Sequence, residues 1–130
     1  MEKNLVGFGP HLIVDLWGIT QEICDDLKLI FDYLNQVPEI IEMHKITQPY
    51  VFPYSGLFPE DCGITGQVTI AESHFMIHTF SKKGYIFLDI FSCKPFNVDL
   101  ALKEIITRFQ PKDYKYWVVE RGLNFPHTLI

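Results

Sequence analysis

Short stretches of alternating or continuous apolar residues cover most of the chain, and in two places the apolar spacing lengthens to three or four. Residues 10–17, Pro-His-Leu-Ile-Val-Asp-Leu-Trp, read as a strand ended by Gly18. Thr20 is a good N-cap, with Glu22 and Asp25 in the first turns. Ile23, Leu27, Ile30, Phe31 and Leu34 then recur at helical spacing. This predicts a helix over 20–35, stopped by Asn35 and Pro38. A short strand is expected over 41–46. Two further strands are expected over 66–72 and 75–80, with a bend at Glu72-Ser73-His74 between them. Ser81-Lys82-Lys83-Gly84 reads as a turn, and the strongly apolar run 85–91 as a buried strand. Asn97 can cap a helix over 98–109, where Leu100, Leu102, Ile105, Ile106 and Phe109 are apolar and Pro111 marks the stop. A last strand is expected over 114–119. Residues 121–130 read as a tail in which Pro126 blocks regular structure.

Residues 47–64 break the pattern. They hold Pro49, Pro53, Pro59, Gly56 and Gly63 among Tyr50, Phe52, Tyr54 and Phe58. So long a connection within a domain is usually functional or disordered, and the aromatics argue for an ordered loop on a site or partner. The element order is then β-α-β-loop-β-β-β-α-β. Hairpin-length turns make the middle strands antiparallel. Two amphipathic helices can cover one face of the sheet, an α+β architecture formed by residues 1–130 as a single domain.

Composition narrows the partners. Of 130 residues, 48% are hydrophobic and 15% aromatic, enough to place apolar surface at a subunit interface. A net charge of −5 and the lack of a basic run argue against nucleic acid. No apolar run approaches the ~18 residues that span a membrane, and Met1-Glu2-Lys3-Asn4 leads into no signal-peptide core. Cys24, Cys62 and Cys93 form no paired framework and no Cys-x-x-Cys spacing, which reads as reduced thiols in the cytoplasm.

Several chemistries find no support. The chain has no Gly-x-Gly-x-x-Gly or Walker motif. His74 and His78 would share a strand face but lie roughly 13 Å apart, so no metal site is expected. Ser73 lacks a Gly-x-Ser-x-Gly elbow, and nothing points to a triad assembled from distant residues.

One stretch does carry a motif. Glu72-Ser73-His74, a histidine five residues after the serine (His78) and a cysteine twenty after it (Cys93) stand in a setting of Gly84-Tyr85 and Asp89-Ile90-Phe91. Gly63-Ile64-Thr65-Gly66 lies upstream, and Gly9-Pro10-His11-Leu12 falls in the first strand. Over nearly its whole length the chain resembles the S-adenosylmethionine decarboxylase proenzymes of the short prokaryotic type.

The resemblance implies self-cleavage between residues 72 and 73. Ser73 Oγ attacks the Glu72 carbonyl, the peptide becomes an ester, and loss of the Ser73 α-proton expels Glu72. A pyruvoyl group generated from Ser73 is left at the new N-terminus, where it forms a Schiff base with the substrate amine. It further implies that His78 is the processing base and Cys93 the proton donor, and that Thr65 stands in for a processing serine. Lys82 occupies a position where the family has an acidic residue for ribose hydroxyls. Lysine offers only donors, which leaves Glu60 or Asp61 to supply a carboxylate. Phe58 lies one residue from a family aromatic that stacks on adenine. Cys24, Cys62, His11, His44 and His127 match no such role and read as structural or surface residues.

The expected function is therefore pyruvoyl-dependent decarboxylation of S-adenosylmethionine, giving the aminopropyl donor for spermidine, by a cytoplasmic homodimer whose two sheets stack. Lys82 also motivates a decarboxylase of arginine or ornithine on the same scaffold. An unprocessed homologue acting as a partner subunit is the non-catalytic alternative.

Overall fold

In the computed structural model, which describes residues 7–128, six antiparallel strands form one sheet in the order β2-β3-β4-β5-β1-β6. The elements run β1 Gly9–Trp17, α1 Gln21–Cys24, α2 Leu27–Ile40, β2 Tyr50–Tyr54, β3 Gly63–Ile70, β4 Ser73–Phe80, β5 Tyr85–Ser92, α3 Val98–Phe109 and β6 Asp113–Arg121. The α+β architecture, with its helices on one face, follows the sequence pattern.

Alternation decides which face is covered. Leu12, Val14 and Leu16 of β1 point to the helices with Ile86, Leu88 and Ile90 of β5, and all are buried. Phe75 and Ile77 of β4 and Val68 and Ile70 of β3 extend that layer. Helix α2 brings Ile30, Tyr33, Leu34 and Val37 onto it, and α3 brings Ala101, Leu102, Ile105 and Phe109. Tyr33 joins the two helices to the sheet, its ring centroid 5.3 Å from that of Phe109 and 6.0 Å from that of Phe75. Burying one such aromatic contributes about 1.5–3 kcal/mol.

The other face alternates His, aromatic and acidic residues, and among the described residues no element covers it. Phe87 and Trp117 are 44% and 39% exposed there. Strand β6 closes one edge and is exposed along its whole length.

Several boundaries differ from the sequence pattern. The first helix is broken in two, because the Asp26 side chain accepts from Leu29 N at 3.0 Å and starts α2 afresh. Helix α2 then passes through Pro38 to Ile40. Pro38 falls in the last turn, where its missing N–H costs one ladder bond and the buried ring packs in the core. No strand forms over 41–46. Glu42 turns the chain with φ 64°, and only a Lys45–Ile70 bridge pairs. The region 47–64 is not all loop, since Tyr50–Tyr54 is an edge strand, a position that tolerates Pro53. Strand β3 starts at Gly63 and ends at Ile70, so the bend is Ala71-Glu72 rather than 72–74. The final strand runs on to Arg121, and of the expected tail residues 129–130 lie outside the described residues.

Candidate active site at the β3–β4 turn

Ala71 and Glu72 form a two-residue connection between β3 and β4, and Ser73 is the first residue of β4. Ser73 pairs with Ile70 on one side and with Ser92 on the other. Its φ is 157°, near the limit of the extended range. The Cys93 N–H donates to the Glu72 carbonyl oxygen at 2.8 Å. That contact exists because β5 ends at Ser92, beside Ser73, and the next amide is free to point across. Gly9 lets β1 approach here, since any side chain on it would collide with the Ser92 carbonyl.

The Glu72 side chain is unusual for a turn residue in being only 8% exposed. Its carboxylate accepts from the His44 N–H at 3.0 Å and from His44 Nδ1 at 2.8 Å, with Lys94 Nζ 3.8 Å away. Burial pushes this carboxyl up, but the two His44 hydrogen bonds, its own backbone N–H and the His44 charge outweigh burial and hold it below the ordinary value.

Thr65 and His78 meet. They are direct neighbours across β3 and β4, with Thr65 Oγ1 3.3 Å from His78 Nδ1. Ser73 and His78 do not meet. Ser73 opens β4 and His78 lies five residues further on, roughly 16 Å away along the strand. The register also sets Ser73 with the buried Ile70 and Ser92, and His78 with Thr65 and Phe87 on the open face.

Phe58, Glu60 and Lys82 lie further still. Phe58 and Glu60 are exposed in the β2–β3 connection, and Lys82 is exposed in the β4–β5 turn. Ser81 N donates to Cys62 O at 3.1 Å and ties these two loops together. They sit beyond the end of β4 that is remote from Ser73, more than roughly 20 Å away. Within one chain Ser73, Glu72 and Cys93 therefore form one group, Thr65 and His78 a second, and Phe58, Glu60 and Lys82 a third.

A cavity of about 550 Å³ opens beside the exposed Cys93, walled by Phe8, Phe96 and Phe125 with the Glu120 carboxylate at its rim. Neither Glu120 nor Phe125 stands out in the sequence, because both come from the far end of the chain. The open face also carries a charge network that sequence reading missed. Asp89 Oδ2 lies 2.8 Å from His11 Nε2 and 3.2 Å from His74 Nε2. Two imidazoles and a carboxylate are divalent-metal ligand types. Arg121 stands 3.3 Å from His11 Nδ1, however, where a metal-bound imidazole needs an acceptor. The arrangement is that of a hydrogen-bonded ion network.

Comparison with known proteins gives a consistent result. Residues 10–122 match a family model described as S-adenosylmethionine decarboxylase. The S-adenosylmethionine decarboxylase proenzyme of Archaeoglobus fulgidus is 33% identical over 115 residues, covering 88% of this chain and 97% of the relative. The proenzyme of Aquifex aeolicus is 32% identical over 124 residues, covering 95% and 85%. A crystal structure of the adenosylmethionine decarboxylase from Aquifex aeolicus superposes with a TM-score of 0.75 at 28% identity, covering 90% of this chain and 92% of that one.

Proposed function

The chain belongs to the S-adenosylmethionine decarboxylase family, and from that premise we propose that it is a self-processing, pyruvoyl-dependent decarboxylase of S-adenosylmethionine. The observation that carries this reading is the Cys93 N–H on the Glu72 carbonyl at 2.8 Å, one residue before Ser73. When Ser73 Oγ attacks that carbon, negative charge develops on the Glu72 oxygen. A fixed amide donor is what such an oxyanion needs. The C–N bond then breaks and the Ser73 nitrogen leaves as an amine, giving the ester. Removal of the Ser73 α-proton expels the Glu72 carboxylate, and hydrolysis releases ammonia and leaves the pyruvoyl group. The Ser73 position fits that group through Cys93, which bonds the Glu72 carbonyl next to Ser73 and itself lines the cavity. Once formed, the group supplies an electrophilic carbonyl for the substrate amine and a sink for the electrons released with carbon dioxide.

The other residues follow from where they stand. The Cys93 thiol is exposed on the cavity side and donates the proton to the decarboxylated carbon. Phe8 and Phe125, whose ring centroids are 4.7 Å apart, offer a wall for the substrate's flat base.

His78 is the processing base, held by Thr65, and it cannot serve the Ser73 of its own chain across roughly 16 Å of strand. Homodimerisation resolves this separation. The uncovered face is aromatic and half-buried, and a second copy laid on it in opposite orientation brings one chain's His78, Phe58, Glu60 and Lys82 toward the other's Ser73 and Cys93. We place the chain in the cytoplasm on its three free cysteines; among the described residues no helix is long and apolar enough to cross a membrane.

The test is the intact mass of the purified chain, followed by carbon dioxide release. Pieces of 72 and 58 residues (130 less 72), the second beginning in a pyruvoyl group, are expected. Release from S-adenosylmethionine, and not from arginine or ornithine, is expected despite Lys82. A chain that stays whole for days, or releases nothing from S-adenosylmethionine, overturns the reading.

A further inference from the structure

Residue 44 makes three hydrogen bonds to the two-residue turn that precedes Ser73. The His44 carbonyl accepts from Ala71 N at 2.8 Å, its N–H donates to Glu72 Oε1 at 3.0 Å, and its Nδ1 donates to Glu72 Oε2 at 2.8 Å. Lys94 closes the group, donating to the Glu42 carbonyl at 2.9 Å with its Nζ 3.8 Å from Glu72 Oε2.

The segment that delivers His44 is held in its own right. After α2, Met43 N donates to Pro38 O at 2.8 Å, and Glu42 reverses the chain at positive φ. Ile46 N then bonds Thr69 O at 3.0 Å, which lays residues 43–46 along the end of β3. His44 itself is exposed, so its ring is not held there by burial. What it does is grip a side chain that is 8% exposed, by two bonds to an ionised acceptor. Such charge-assisted bonds are roughly twice as strong as neutral ones.

Self-cleavage needs the Glu72 carbonyl carbon to face Ser73 Oγ. The Cys93 N–H holds the carbonyl oxygen, and the pairing of Ser73 with Ile70 and Ser92 holds the far side of the peptide. The near side is held by an anchor on the Glu72 side chain and on the preceding amide. We infer that His44 is a positioning residue for self-cleavage: it grips both carboxylate oxygens of Glu72 and the Ala71 amide, and so holds the Glu72 carbonyl in the orientation that Ser73 Oγ attacks. The inference rests on the reading of the 72–73 bond as the scissile one. Misplacing a reacting group by about 1 Å costs up to roughly a hundredfold in rate, and that sets the scale.

The experiment follows the rate of cleavage by denaturing mass spectrometry in the wild-type chain, His44→Ala, His44→Asn, Glu72→Ala and the His44→Ala/Glu72→Ala double variant. An asparagine amide can place a donor near the position of Nδ1. His44→Ala is expected to cleave roughly ten- to a hundredfold more slowly than wild type, with an unchanged melting temperature and unchanged decarboxylation per processed chain. His44→Asn is expected to recover to within a few-fold of wild type, and the double variant to be no slower than Glu72→Ala. A merely structural role would lower the melting temperature and would not single out the donor. If His44→Ala does not fold, His44→Asn and Glu72→Ala carry the test: Asn slow and Glu72→Ala fast overturns the inference. A His44→Ala chain that cleaves as fast as a cleaving wild type overturns the positioning role and leaves the scissile bond standing. A wild type that never cleaves overturns the reading beneath it.

Discussion

The backbone N–H of Cys93 donates to the carbonyl oxygen of Glu72 at 2.8 Å. One residue thus presents its amide to the bond expected to break and its thiol to the space where substrate is expected to bind. Cys93→Ala separates the two. The amide stays, so the chain still splits at 72–73 by intact mass. The thiol goes, so carbon dioxide release per processed chain falls by about 10²–10⁴, the usual worth of a proton donor. Loss of cleavage in this variant would place the thiol, rather than the amide, in processing.

Thr65 Oγ1 lies 3.3 Å from His78 Nδ1 across the β3–β4 pair. This bond orients the imidazole. Thr65→Val removes the hydroxyl and leaves the shape, and cleavage is expected to slow by about tenfold or more. Thr65→Ser keeps the hydroxyl and is expected to stay within a few-fold of wild type. The check is the time course of fragment appearance at pH 7.5.

Ser73 opens β4 and His78 lies five residues along it. Ser73→Ala alone is expected to stay full length and His78→Ala to stall. Mixing the two unprocessed chains is expected to restore cleavage of the His78→Ala chain only, because a mixed dimer then pairs an intact Ser73 with a partner's intact His78. If the two variants mixed under exchanging conditions stay whole, the site is not shared in this way.

Alkaline pH probes the core on the helix side. Burial first, and Asp25 second, push the Cys24 thiol up from its ordinary value to about 11. Burial raises the fully buried Tyr33 hydroxyl well above the usual tyrosine range. Both groups hold their protons more tightly folded than unfolded. The Cys24 contribution is therefore complete below about pH 9 and is lost as pH rises through 11, and the Tyr33 contribution begins to fall only above about pH 10, at no more than about 1.4 kcal/mol per unit for each group. Urea midpoints measured between pH 8 and 10.5 should fall, and Cys24→Ala should shallow that slope.

Much of the fold could be read from the residues. Strand-like apolar stretches marked β1, β4 and β5, and Asn97 with its 3.6-residue apolar repeat marked α3 at the ends observed, Val98 and Phe109. Boundaries failed where a local cap or the strand's place in the sheet decided. Asp26 restarts a helix that looked continuous, and Pro53 is accepted because β2 is an edge.

The motif residues at 72, 73, 78 and 93 are fixed by their spacing in the chain, and so is the chemistry they imply. Spacing says nothing of distance through space. Only the folded sheet shows that Cys93 N–H reaches Glu72, that His44 from an unremarkable loop grips its carboxylate, and that Ser73 and His78 stay apart. Those facts depend on which strands lie side by side and in which register. Many such pairings join residues far apart in the chain, as Gly9 with Arg121 and His44 with Glu72, and local sequence preference carries no term for them.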